Sequence, residues 1–482
     1  EFMKEHIITD KKIQTWLVIS VSFSAFITLL DDYILSISLP TISSYFNVST
    51  GTVTWLLLIY LLIMSSTLLI FGKLGDKIGL KKVFIAGYIF FTAGSLLCGI
   101  SINISMLILS RVIQGLGGAM LFVTGFAIMS KFLPVNIMGW AFSMISAFSA
   151  AGVTVGSPLG GFITAWLNWR WIFFVNVPVC IVAIIISWKV IPDEQKKIHP
   201  YFLYDFDITG SFLSFLSPFL LLYGLNRGGE AGWTSFTVIA CIAISLILFA
   251  IFILWEKRVK EPLMDLTIFK IKSFSSASIS TFFAVMTRSG HMILIPFYME
   301  FIKGLTPEKA GMVLIVFSCV YTVSSLISGT MADKVNPFYL YSIAMFLGGA
   351  SCLTFCFTLN SPGLLNLFIF LIWFAVSFGM FMSPNNKYVM SLIPHEKKGS
   401  ASGIFNTVSS LALVMGVCIL EAVFSSSLPE NISSASLSVG KIPADILLRG
   451  FFNAYLLAGL FCFSSGIISV IRGSSRSVLK KK

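Results

Sequence analysis

The chain has 482 residues, 56% of them hydrophobic and only 11% charged, with 46 Phe and a mean hydropathy of +0.92. Soluble domains carry about 25% charged residues, so this composition excludes a water-soluble globular protein and points to a polytopic membrane protein. The formal charge of +12 does not call for nucleic acid: threaded through fourteen spans from a cytoplasmic N-terminus, 24 of the 33 Lys and Arg fall on cytoplasmic segments, 6 on outer segments and 3 within spans. That asymmetry is the positive-inside bias.

Apolar runs predict membrane helices over 13–38, 52–71, 83–101, 106–130, 139–163, 171–190, 208–226, 234–255, 274–299, 309–331, 338–359, 364–392, 400–425 and 448–470. The expected organisation is a cytoplasmic segment 1–12, in which Glu1-Phe2 before Met3 resembles a cloning scar, and an N-terminal six-helix bundle 13–190. A linker with two extra transmembrane helices (191–273), a C-terminal six-helix bundle (274–470) and a basic cytoplasmic tail (471–482) follow. No cleavable signal peptide is expected, and both termini are placed inside. An internal repeat supports the two bundles. Gly72-Lys73-Leu74-Gly75-Asp76-Lys77 closes the second helix of the first set, and Gly329-Thr330-Met331-Ala332-Asp333-Lys334 closes the second helix of the other. Repeats of this kind are common in secondary transporters, with substrate held near the midplane. The eight cysteines sit in apolar runs without a C-x-x-C pair, and read as small packing residues.

In the first span, Asp31 and Asp32 interrupt an apolar run. A charge at that depth costs roughly 2.5–3.5 kcal/mol on insertion scales, so an acid there marks a site for a proton or cation. The two carboxylates point about 100° apart around the helix, which gives them different surroundings. Arg111 in the fourth span carries the same cost. Counted from the outer ends of their predicted spans, Asp31 lies about 10 Å deep and Arg111 roughly 8 Å at 1.5 Å per residue. The matching depth favours a pair; the alternative is that Arg111 snorkels outward. Between the second and third spans, Gly72, Asp76, Lys77, Gly79 and Lys81 form a glycine-rich basic turn with Asp76 near a helix N-terminus, readable as an inner gate or as a topogenic turn. Asp333 is its repeat partner. In the fifth span Gly152, Gly156 and Gly160 recur at i, i+4 and i+8, with Gly161 beside them and Pro158 inviting a kink; the pattern suits close helix contact.

These blocks resemble the major facilitator superfamily, in particular its 14-helix drug:proton antiporters. Trp169-Arg170-Trp171-Ile172-Phe173-Phe174-Val175-Asn176-Val177-Pro178 and Pro262-Leu263-Met264-Asp265-Leu266-Thr267-Ile268-Phe269 are specific marks of that branch, and Leu30-Asp31 with Leu39-Pro40 matches its first-span acid motif. The resemblance implies an all-α fold of two six-helix bundles plus two inserted helices. It implies Asp31 and Arg111 as the proton-coupling pair, the 72–82 turn as the inner gate and 152–161 as the antiporter motif. The chain departs from the pattern at Gly156-Ser157-Pro158, where the usual Gly-Pro is split, and at Glu300, where relatives often carry Gln. The tenth span has no acid in its middle, which counts against dicationic substrates.

Candidates for the substrate cavity are Asp32, Tyr33, Gln114, Arg288, His291, Glu300, Tyr321 and Asn406. Arg288 either meets an anionic group or serves as a structural hydrogen-bond hub, His291 either titrates or packs, and Glu300 lies at the outer interface. Lys387 reads as a snorkelling residue and Glu421 as a weaker cavity candidate. The expected activity is proton-coupled efflux of lipophilic, cationic or zwitterionic drugs by a monomer in the cytoplasmic membrane. The rival reading is a narrow exporter or permease for a metabolite, lipid precursor or organic anion. No cofactor or metal is expected, since His6, His199 and His395 fall in loops, and no Walker-type phosphate loop is present to use ATP. Nothing in the pattern suggests an enzyme.

Overall fold

Residues 8–134, 137–193, 207–259, 266–335, 337–391, 398–427 and 443–473 are described by a computed structural model of the chain. They form fifteen α-helices and one short 3-10 turn, Leu266–Lys270, with no strand among the described residues. Helices dominate because lipid offers the backbone no hydrogen-bond partner, so each segment must satisfy its own amides. Eleven of the helical stretches are long and apolar enough to cross a membrane.

The first unit comprises Glu1–Phe46 and Trp55–Phe215. It holds α1 (Lys11–Phe46), most of α2 (Thr50–Ile78), α3 (Leu80–Gly99), α4 (Ile104–Phe132), α5 (Met138–Trp166), α6 (Trp171–Phe174) and α7 (Asn176–Val190). Two boundaries differ from expectation. α1 does not stop before Pro40 but carries it inside the helix and continues to Phe46; proline removes one donor without forcing a stop where neighbouring helices support the bend. The predicted sixth span is broken at Val175 into α6 and α7. Gly79 alone separates α2 from α3, at φ 108°, a left-handed conformation that glycine adopts without steric cost. Asn103 caps α4 by accepting from the Met106 amide at 2.7 Å, satisfying one of the orphan first-turn donors.

The second unit comprises Asn47–Thr54 and Leu216–Lys482. It contains most of α8 (Ile208–Ala231), α9 (Phe236–Glu256), α10 (Lys272–Phe301), α11 (Pro307–Lys334), α12 (Pro337–Thr358), α13 (Leu365–Ser391), α14 (Lys398–Ser426) and α15 (Ala444–Gly473). α8 and α9 are joined by reciprocal bonds: Ser217 donates to the Ser245 carbonyl at 3.1 Å and Ser245 to that of Ser217 at 2.7 Å. α9 otherwise presents Phe236, Ile239, Leu246, Ile247 and Leu254 outward, as a lipid-facing helix does. α8 docks on α14 through Asn226, which donates to Glu421 Oε2 at 3.2 Å, and through the Cys418 thiol, which donates to the Leu222 carbonyl at 3.3 Å.

Taken separately, the two units repeat one pairing scheme. In the first, α1 packs on α5 and α7, and α3 on α4 and α7; in the second, α10 packs on α14 and α15, and α12 on α13 and α15. Even a serine pair recurs. Ser20 and Ser187 join α1 to α7 at 2.6 Å, and Ser280 and Ser465 join α10 to α15 at 2.8 Å. α6–α7 thus corresponds to α15, and α1 to α10.

Candidate functional site

Asp31 sits within the first unit and is only 2% exposed. Its Oδ2 accepts from Arg111 Nη1 at 2.5 Å. Oδ1 accepts from Gln114 Nε2 at 2.9 Å and from Asn176 Nδ2 at 2.6 Å. With every contact a donor, the carboxylate is the form this geometry fits. Arg111 is held in turn from three sides. Its Nε donates to the Leu56 carbonyl at 2.9 Å and its Nη1 to Gln114 Oε1 at 2.6 Å, while its guanidinium lies 4.3 Å from the centroid of the Tyr60 ring. Gln114 also donates to Ser95 at 3.0 Å. Arg111, Gln114, Asn176 and Tyr60 are all fully buried.

The sequence dictates this cluster locally. Gly94 lets α3 approach α4 so closely that a Cβ there would lie 2.6 Å from the Gln114 amide nitrogen. Gly152, Gly156 and Gly160 seat α5 on the α1 backbone: a Cβ at each would meet the Phe26 carbonyl at 2.6 Å, the Tyr33 Cβ at 2.8 Å and the Ile37 Cγ2 at 2.6 Å. The glycine stripe therefore braces the helix that carries Asp31. The break before α7 sets Asn176 at that helix's first residue, where its amide reaches Oδ1. Burying two opposite charges costs several kcal/mol per ion, repaid only when geometry and extra hydrogen bonds are good. The cluster nevertheless keeps three polar atoms without a hydrogen bond: Arg111 Nη2, Asn176 Oδ1 and the Tyr60 hydroxyl. Such a set is half-satisfied, and it has donor and acceptor capacity for a second arrangement.

The structure thus brings Asp31 and Arg111 together, as their depths suggested. Gln114, expected at the substrate cavity, is instead a fully buried member of this pair's shell, because its α4 face turns toward α3 and α1. Tyr60 and Asn176 went unnoticed as site residues. A polar side chain opening an apolar span was the available signal for Asn176, whereas Tyr60 looks like any membrane-facing aromatic. Asp32 is half-buried and Tyr33 buried on α1. Arg288 and Tyr321 are half-buried on α10 and α11. Glu300, on the last turn of α10, is 8% exposed. His291 is buried among aromatic rings.

In the basic turn, Gly79 makes the reversal. Lys81 points inward and pairs with Asp193 at 3.0 Å, with the Trp188 ring 5.7 Å away. Gly72 lies beneath Val123 of α4. Pro158 is half-buried within a continuous α5. The side chains of Asp76, Lys77, Asp333, Lys387 and Asn406 lie outside the described residues, as does the segment 260–265. Among the described residues no cluster of His, Cys, Asp and Glu could hold a metal.

Two repeated helical units, one enclosing a buried acid–base pair, define a secondary transporter rather than an enzyme. The chain belongs to the Major Facilitator Superfamily, which it matches over residues 21–417, and it is a multi-pass plasma-membrane transporter. It is 29% identical to the riboflavin transporter RibZ of Clostridioides difficile, over 96% of this chain and 99% of that protein. It is 26% identical to the tetracenomycin C resistance and export protein of Streptomyces glaucescens, over 87% of this chain and 78% of that protein. Among solved structures, a bacterial homologue of the human lysosomal transporter Spinster shares the fold with a TM-score of 0.65, at 13% identity, over 96% of this chain and 97% of that one.

Proposed function

We propose that the protein is a 14-helix drug:proton antiporter, a monomer that exports lipophilic, cationic or zwitterionic compounds by alternating access. The observation that carries this reading is Asp31, a membrane-buried carboxylate held by Arg111, Gln114 and Asn176. Taking up a proton removes the negative charge and one acceptor site together. Arg111 is then left facing a neutral acid, and the pair's Coulomb attraction, which holds α4 on α1, is lost. Proton loss restores it. Protonation and helix geometry are thereby two readings of one equilibrium, as a coupled transporter requires. The membrane potential adds about 2.3 kcal/mol per charge per 100 mV, enough to drive export uphill. In this scheme Gly79 and Lys81 serve the inner gate with Asp76, Lys77 and Asp333. The stripe of Gly152, Gly156, Gly160 and Gly161 with Pro158 seals the first unit against proton leak.

Uptake of a dye and drug panel by inverted vesicles tests the reading, with and without an uncoupler. Uncoupler-sensitive uptake of several lipophilic cations is the expected result, lost in Asp31→Asn with the protein still folded. Wild-type rates in Asp31→Asn across an imposed pH gradient would end the scheme. A second reading, a narrow exporter or permease of a metabolite, is favoured by the 29% identity with a riboflavin transporter over almost the whole chain. Including riboflavin in the same panel separates the two: transport of riboflavin alone selects the narrow reading.

A further inference from the structure

The second unit contains a buried titratable group that this scheme leaves unused. His291 lies on α10 and is 3% exposed. Its Nδ1 is 3.1 Å from the Tyr455 hydroxyl on α15. The rest of the imidazole is enclosed by rings, with centroids at 4.4 Å (Phe374), 5.5 Å (Phe317) and 5.5 Å (Phe370). Nε2 is buried and makes no hydrogen bond. A buried nitrogen of this kind is costly unless something else pairs with it. An ordinary packing position would be filled more favourably by Phe.

The position repeats that of Asp31. The Asp31 cluster draws on α1, α2, α4 and α7, and the His291 box on α10, α11, α13 and α15, the corresponding helices of the second unit. Each carrier helix holds one proline inside it, Pro40 in α1 and Pro296 in α10. Asp31 precedes its proline by nine residues and His291 by five, so the two lie on nearly the same helical face, one turn apart. In one unit that face carries an acid backed by a cation, and in the other a base backed by π faces. Aromatic faces stabilise a cation lying over them, and this one would be an imidazolium.

We infer that His291 is a second proton-carrying residue of the transport cycle, binding a proton at Nε2. Starting from the Nδ1–H tautomer, the step adds a proton from water to the Nε2 lone pair; the imidazolium donates Nδ1–H to the Tyr455 oxygen, and reversal returns the proton to water. The charged group nearest to it on its own helix is Arg288, one turn earlier. The remaining titratable neighbours are Tyr455 itself, with Tyr298, Cys352 and Cys356 behind it, and Tyr321, stacked on Phe317. α13 contributes Phe370 and Phe374. The box is closed around the ring in this structure, and the proton reaches Nε2 when α10 or α11 shifts to admit water.

The inference rests on the antiport reading but is tested apart from it. The chain has four histidines, so 15N-histidine spectra of the protein in lipid nanodiscs resolve each one, and His291→Gln assigns this resonance. The expected result is an imidazolium signal that grows at His291 as the pH falls from 8 to 5.5. In proteoliposomes exporting ethidium, with trapped pyranine reporting protons, His291→Gln should lower the protons moved per ethidium and flatten the pH profile. His291→Phe, which suits the box by shape, should do the same without loss of thermal stability. A His291 that stays neutral throughout, with unchanged proton counts in both variants, overturns the inference. A normal Asp31→Asn variant would instead sink the antiport reading and leave this titration standing.

Discussion

Asp31 and Arg111 are mutually dependent because each is the other's principal compensation for leaving water. Removing one partner of a buried pair costs about 3–5 kcal/mol, since the survivor stays buried and uncompensated. Arg111→Gln should therefore lower thermal stability by that order, and the Asp31→Asn/Arg111→Gln double variant should be less destabilised than Arg111→Gln alone, measured by thermal unfolding in detergent. Asn176→Ala removes the 2.6 Å bond to Oδ1 without touching either charge. It should cost about 1–3 kcal/mol and reduce uncoupler-sensitive transport while leaving uncoupled leak low, as checked in inverted vesicles. The pair itself was legible in the sequence, because charges in apolar spans are few and their depths can be compared. Gln114 and Asn176 were not, because a neutral polar residue costs less in a membrane and its partner depends on which way its helix is turned.

At the scale of the element, the glycines of α5 act as a surface. Their missing side chains let α5 rest on the α1 backbone, within reach of the Phe26 carbonyl and the Tyr33 Cβ. Gly152→Ala should cost about 1–3 kcal/mol through overpacking. Val155→Leu, on the exposed side of the same helix at 43% exposure, should fall within about 0.5 kcal/mol of the parent. The comparison is made by thermal unfolding. Gly79 is a different case, since its φ of 108° penalises any side chain whatever the space. Gly79→Ala should cost about 1–3 kcal/mol and reduce the yield of folded protein in the membrane. The stripe was readable from its i, i+4, i+8 spacing, but its partner was not, because spacing names a face and says nothing of what lies opposite. Likewise the break between α6 and α7 at Val175 leaves no proline or glycine at the break itself.

For the whole molecule, charge placement predicts topology. The proposed fourteen crossings from a cytoplasmic N-terminus put the C-terminus in the cytoplasm as well, so a fluorescent protein fused after residue 482 should glow. Alkaline phosphatase fused within 426–447 should be active. A dark C-terminal fusion would rule out the proposed topology. The repeat works at the same scale. Two units with one helix-pairing scheme carry different chemistry at corresponding places, an ion pair in one and a histidine among rings in the other.

Composition alone settled the solvent, since a chain this apolar and this poor in charge folds only in lipid. Hydropathy laid out the helices, and the Gly-x-x-x-Asp-Lys echo exposed the duplication, because both are properties of consecutive residues. What Asp31 touches, why Gln114 belongs to its shell and how His291 comes to be walled in by phenylalanines were decided by the tertiary structure. The hydrogen bonds that hold Asp31 and His291 join residues 80 to 164 positions apart, and the rotation of each helix about its own axis, which fixes them, is set by packing against all its neighbours at once.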